Sequence, residues 1–135
     1  MSDLQKPLTS HAHWLLRAGL ASVFLFHGMG KVLNVSGFAE MMGLPFVIAA
    51  LVTFAEVAAG IGIIVGGFRN AVITRLSTIA MIPILLGAIV MVHGPRWSFT
   101  PAEGFPMGGM EFQVVLLLGA LYFLITGNST SNHAA

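Results

Sequence analysis

At 135 residues, 56% hydrophobic and 8% charged, with a mean hydropathy of +0.90, the chain is far more apolar than a soluble domain, in which roughly 25% of residues carry charge. Net charge is +1 and the six Lys and Arg are scattered, which argues against nucleic acid as a partner, since that requires a basic stripe. Cysteine is absent, so the chain itself carries neither thiol-disulfide exchange nor cysteine-ligated iron-sulfur or zinc chemistry.

Apolar runs recur at about 20 residues, the length that a hydrocarbon core about 30 Å thick requires of a spanning helix. They predict an all-α, integral membrane four-helix bundle over residues 14–127, between a mobile cytoplasmic tail (1–13) and a C-terminal tail (128–135). His11 and His13 form an H-x-H pair in the first tail, too few ligands for a closed metal site. The first helix runs from Trp14, placed as an interfacial anchor, to Leu33, and reads as retained rather than as a cleaved signal. At 100° per residue Arg17, His27 and Lys31 share an arc of roughly 80° on it. Gly19, Gly28 and Gly30 offer small surfaces for close helix approach.

Residues 34–44 are too short and polar to span; Ser36 is the expected cap of a turn bearing Phe38, Met41 and Met42 along the interface. Pro45 opens a second helix reaching Gly67, with Glu56 near its middle among Thr53, Ala59 and Gly60, and with Ala58, Gly62 and Gly66 as a small-residue ridge. The third helix, Ala71 to Val92, follows Arg69, carries Arg75 in its first turn and is expected to kink at Pro83. A long loop from His93 to Gly109, with Trp97, Phe99 and Phe105, suggests a cover over one end of the bundle. The fourth helix runs from Met110 to Thr126, with Glu111 in its first turn and Tyr122 on the same face. Positive-inside counting of Lys6, Arg17, Arg69 and Arg75 against Lys31 and Arg96 places both termini in the cytoplasm.

A rise of about 1.5 Å per residue puts Glu56 at about 16 Å, His27 at about 20 Å, Glu111 at about 23 Å and Lys31 at about 26 Å from the cytoplasmic boundary. If the first, second and fourth helices are mutual neighbours, His27 and Lys31 meet two carboxylates in the outer half, offsetting the cost of burying charge. Such a cluster is either a structural ion-pair network or a polar pocket in which Glu56 and His27 pass protons. Arg17 sits near the cytoplasmic boundary with no acid at its level except Asp3, and is expected to snorkel to headgroups or contact a ligand. Met29, Met41, Met42, Met91, Met107 and Met110 lie near His27 and His93. That donor set suits Cu(I) as an alternative, although methionine is also a common core filler and no metal is expected. A haem between His27 and His93 would have to bridge about 13 Å in depth.

Arg17, FLFHGMGK from Phe24 to Lys31, LPF from Leu44, Glu56, GGFR from Gly66 to Arg69, and GGMEF from Gly108 to Phe112 together resemble the DoxX family of small membrane proteins. The likeness covers about residues 14–127 and implies a four-helix protein of the bacterial inner membrane, associated with oxidoreductase systems. The family pattern carries onto Arg17, His27, Lys31, Glu56 and Glu111. Many members end in a glycine-rich turn and Ser-Leu-Asp; this chain ends TGNSTSNHAA.

The resulting expectation is an oxidoreductase component, linked to a quinone as cofactor, in which His27 and Glu56 are catalytic proton carriers. Lys31, Glu111, Arg17 and Tyr122 complete the small-molecule site, Lys31 holding a quinone oxygen and Glu111 orienting Lys31. The electrons come from elsewhere, so partner redox subunits or a homo-oligomer within membrane lipids are implied. Two rivals use the same residues: a carrier or channel for a solute, proton or metal ion, and a structural or assembly subunit. Against the carrier stands the lack of any repeat between the two halves.

Overall fold

The computed structural model describes residues 10–129; Asp3, Lys6 and the chain beyond residue 129 lie outside the described residues. The helices are α1 (His13–Val32), α2 (Val35–Met42), α3 (Phe46–Phe68), α4 (Ala71–Ala88), which continues as a π-helical turn (Ile89–His93), and α5 (Glu111–Thr126). No strand forms among the described residues beyond one isolated bridge between Ala102 and Phe105.

The fold is a membrane helical bundle. α3 and the α4–π unit are each 23 residues long and apolar enough to cross a bilayer. α1 qualifies only together with α2, and the two are bent by 100° at their junction. α5 is a shorter apolar helix of 16 residues, a length of about 24 Å. The basic residues of α1 are what depress its hydropathy.

The bend follows from local chemistry. Asn34 caps α2 by accepting the Gly37 N–H at 2.9 Å, so the cap lies two residues before the expected Ser36. Gly43, at φ 62°, ends α2 in the left-handed region that glycine enters without a Cβ penalty. Asn70 caps α4 in the same way, accepting the Ile73 N–H at 3.0 Å. α4 passes through exposed Pro83 and keeps α geometry to Ala88.

Around the bundle the helices follow the order α1, α3, α4, α5, with α1 and α5 making a smaller contact that closes the ring. Its core contains Leu20, Phe24, Ile63, Met81, Leu85 and Phe123. Close approach of α1 and α3 rests on Gly28 and Gly60: an added Cβ would lie 2.8 Å from Val57 Cγ2 or from Leu25 Cγ. Gly19 and Gly30 face open space instead. In the ridge on α3, Gly62 meets Ser77 and Gly66 meets Thr74 across to α4, whereas Ala58 is exposed.

The loop after the π-turn is tied to itself and to α5. Met110 N–H donates to the Arg96 carbonyl at 2.9 Å, Arg96 Nη1 donates to the Thr100 carbonyl at 2.6 Å, and His93 Nδ1 lies 3.1 Å from the Gly108 carbonyl. Trp97 and Phe99 point away from the bundle and are exposed, so of the three aromatics only Phe105, beside Arg96, is half-buried.

Candidate functional site

The cations of α1 divide between its two ends, and each end solves burial differently. Arg17 is 0% exposed, which overturns the expected snorkelling: its guanidinium does not reach a headgroup. Nε donates to His13 Nδ1 at 3.1 Å, Nη1 to the Ile63 carbonyl at 2.6 Å and Thr74 Oγ1 at 3.0 Å, and Nη2 to the Gly127 carbonyl at 3.4 Å and Asn128 Oδ1 at 2.8 Å. That commits all five N–H donors of the group. Phe123 stacks under it with its centroid 4.4 Å from Cζ. Every acceptor is neutral, and the Gly127 carbonyl follows the last turn of α5, where the helix dipole is negative. Asn128 Nδ2 also donates to the Gly66 carbonyl at 2.8 Å. Arg17 therefore joins α1, α3, α4 and the end of α5. With every donor committed, its hydrogen bonds tie these elements together.

At the other end of α1, Lys31 Nζ forms an ion pair with Glu56 Oε1, linking α1 to α3. It is the one ion pair among the described residues. Lys31 also lies 4.8 Å from the Phe38 ring centroid, so α2 shares the contact. The Glu56 side chain is 6% exposed and that of Lys31 is 21% exposed. Glu56 is buried because it falls on the stripe Ala49, Thr53, Glu56, Ala59, Ile63 of α3, and its approach to α1 is set by Gly28, whose Cβ position is 3.2 Å from Glu56 Cβ. Its second oxygen, Oε2, is buried without a hydrogen-bond partner among the described residues. On the Lys31 side of the pair, α1 and α2 border an open apolar groove of about 870 Å³, lined by residues that include Phe26, His27, Met29, Lys31, Phe38 and Met41 but not Glu56.

The remaining expected site residues do not converge on this pair. His27 is exposed in the groove, edge-on to Phe26, because the neighbouring Gly28 occupies the contact with α3. Glu111 makes no hydrogen bond or ion pair with its side chain among the described residues, so Glu56, and not Glu111, orients Lys31. The reason is topological: α1 and α5 meet toward the Arg17 end, at Leu20 beside Gly119 and Arg17 over Phe123, while Glu111 begins α5 at the opposite end. Tyr122 is exposed next to Phe123, at the Arg17 end. Among the described residues no group of three or more His, Cys, Asp or Glu side chains could share a metal ion; Met29 and Met41 share the groove with His27.

Three contributors escaped the sequence reading. His13 and Asn128, assigned to tails, are partners of Arg17; the glycine-asparagine pair closing the last apolar run was the available signal for a helix end. Gln113, on α5, has a buried and unpartnered Oε1, and its place seven residues before buried Ala120 marked it as core-facing.

No curated protein and no solved structure matches the chain. The DoxX family model matches residues 12–94, from the start of α1 to the end of the π-turn, which contains Arg17, His27, Lys31 and Glu56 but not Glu111 or Tyr122. On that match over more than half of its length, the chain belongs to the DoxX family.

Proposed function

We propose that the protein is a component of a quinone-linked oxidoreductase system in the bacterial inner membrane, working with partner redox subunits or as a homo-oligomer. The carrying observation is the Lys31–Glu56 pair: a buried carboxylate with one oxygen on an ammonium and the other unpartnered, beside an apolar groove. These residues suit a quinone, since the groove accepts an apolar body, the ammonium a ring oxygen, and the carboxylate a proton. Quinone chemistry supplies a two-electron, two-proton acceptor; the chain's own residues bind it, orient it and handle protons.

In this reading Lys31 holds the ligand oxygen while Glu56 Oε1 fixes the ammonium. Glu56 Oε2 takes or gives the proton, and His27, at the exposed mouth of the groove, exchanges it with the outside. Glu111 and Tyr122 have no contact with the pair and enter only as outlying candidates. Arg69 and Arg75 at one end of the bundle, against Lys31 and Arg96 at the other, orient both termini to the cytoplasm and the Lys31–Glu56 pair to the periplasmic half.

Purification in mild detergent followed by solvent extraction tests this directly. A retained quinone, lost in Glu56→Gln, is the expected result; a preparation that retains none and binds none when supplied would end the proposal. Quinone-linked activity that survives Glu56→Gln with a lowered unfolding temperature would make the pair a structural strut.

A further inference from the structure

The loop between the π-turn and α5 lies at the end of the bundle that holds Lys31, and the lengths of the two helices it joins set its depth. Gly127 and Ala71 are level at the Arg17 end, where a Cβ on the glycine would stand 2.9 Å from Ala71 Cβ. From there α4 and its π-turn rise about 33 Å to His93, whereas α5 rises only about 24 Å to Glu111. α5 therefore stops about 9 Å short of its neighbour. The loop fills the difference: His93 Nδ1 lies 3.1 Å from the Gly108 carbonyl, while the N–H groups of Met110 and Glu111 donate to the carbonyls of Arg96 and Ser98 at 2.9 and 3.4 Å. Those carbonyls stand one hydrogen bond from the start of α5, so the backbone of Trp97, between them, is held no farther out than the end of the π-turn.

Irregular backbone at membrane depth is tolerated where its polar groups are satisfied within the protein. Here Ala102 and Phe105 exchange both backbone bonds, at 3.1 and 2.9 Å, Gly108 N–H donates to the Phe105 carbonyl at 3.0 Å, and Arg96 Nη1 donates to that of Thr100. The two glycines of the GGMEF stretch make the loop close on itself. A Cβ on Gly108 would collide with the Phe99 carbonyl, and one on Gly109 with the carbonyls of Arg96 and Ser98. On this self-paired platform Trp97, Phe99 and Met107 are each more than half exposed. α4 leads into it with an exposed apolar face of its own, at Ile79, Leu86 and Val90. Glu103, the one acid of the loop, is exposed in the turn between Ala102 and Phe105, which suits water and forbids deep immersion.

We propose that Trp97, Phe99 and Met107 form an anchoring surface whose partner is the phospholipid leaflet at the Lys31 end of the bundle, with the rings at the boundary between headgroups and acyl chains. An indole joins a large apolar body to a single N–H donor, and that combination favours this boundary. The loop is thus a shallow membrane-seated platform that completes the thickness α5 does not span. Nothing in it depends on the ligand bound beside Lys31.

Quenching of Trp97 fluorescence in nanodiscs tests the proposal. The chain has two tryptophans, so Trp14→Phe isolates Trp97; should that variant fail to fold, the difference between the unaltered chain and Trp97→Phe gives the same signal. Emission is expected to be blue-shifted from that of tryptophan in water, to be lost most strongly to phospholipids brominated near the headgroup end of the acyl chain, less to those brominated near the methyl end, and little to aqueous iodide. Phe99→Asp should lift the surface and raise quenching by iodide. Emission open to iodide and indifferent to both brominated lipids would place the loop in water and overturn the proposal. Shielding from both kinds of quencher, the signature of a protein partner or a second copy on this surface, overturns it equally, as does unchanged quenching in Phe99→Asp.

Discussion

α1 buries a cation near each end, and the two are held in opposite ways. Arg17 has no counter-ion among the described residues, yet each of its five N–H groups meets a neutral acceptor from four structural elements. Lys31 has a counter-ion, but the pair is incompletely satisfied: Glu56 Oε2 is left over and Lys31 borders an open groove. Complete satisfaction of a buried polar group confers rigidity, whereas a partly satisfied one leaves capacity for a ligand. The first end reads as foundation and the second as site.

The strongest way to break this contrast is at Arg17. Arg17→Leu removes the donor to the Ile63 and Gly127 carbonyls and to Thr74 Oγ1, leaves Asn128 Oδ1 with only the Thr74 hydroxyl, and is expected to cost about 3–5 kcal/mol, the range for disrupting a buried polar network. Unfolding in detergent, followed by circular dichroism, measures it. Arg17→Lys should recover little, because an ammonium has three donors on a point charge in place of a planar fork of five. A stable Arg17→Leu protein that has lost ligand binding would reverse the assignment of the two ends.

At the other end Glu56→Gln should cost less, about 1–2 kcal/mol, because Lys31 is partly exposed and can turn toward the groove. It should nevertheless abolish ligand retention. A double-mutant cycle with Lys31→Met would isolate the coupling between the two side chains. A loss of stability as large as that of Arg17→Leu would indicate that both ends are foundation.

Asn128→Ala tests how far the clamp depends on the end of α5. Removal of its acceptor for Arg17 and its donor to Gly66 is expected to lower stability by about 1–2 kcal/mol without affecting ligand binding. The smallest effect on stability is expected for His27→Leu, within about 0.5 kcal/mol, since the ring is exposed and makes no hydrogen bond in the described structure. Its effect on quinone-linked turnover is the informative reading: an unchanged rate would remove His27 from the proton path.

Some of this was legible in the residue pattern. Glu56 on a stripe of small and apolar residues could be recognised as buried, and Lys31 as lying at the depth of a carboxylate, although the acid expected to orient it was Glu111 and the structure gives Glu56. The notion that Arg17, His27 and Lys31 share one polar face came from the same periodicity and failed at two of the three. An arc of 80° on a helix surface is wide enough to cross from core to groove. Arg17 falls on the core stripe with Leu20, Phe24 and Gly28, whereas His27 falls at its edge.

The sequence by itself determined that the chain forms apolar helices for a membrane, that Pro45 opens one of them, and that several charged side chains must lie among them. Those are consequences of composition, period and backbone preference, which act locally. Which charge meets which was decided by the tertiary structure, through the ring order α1, α3, α4, α5 and the Gly28 contact that brings α1 onto Glu56. Glu111 and Lys31 have compatible charges and similar expected depths, but depth along the membrane says nothing of position around the bundle. Only the packing of helices fixes that angle, and it gave Lys31 to Glu56 and Arg17 to the end of α5.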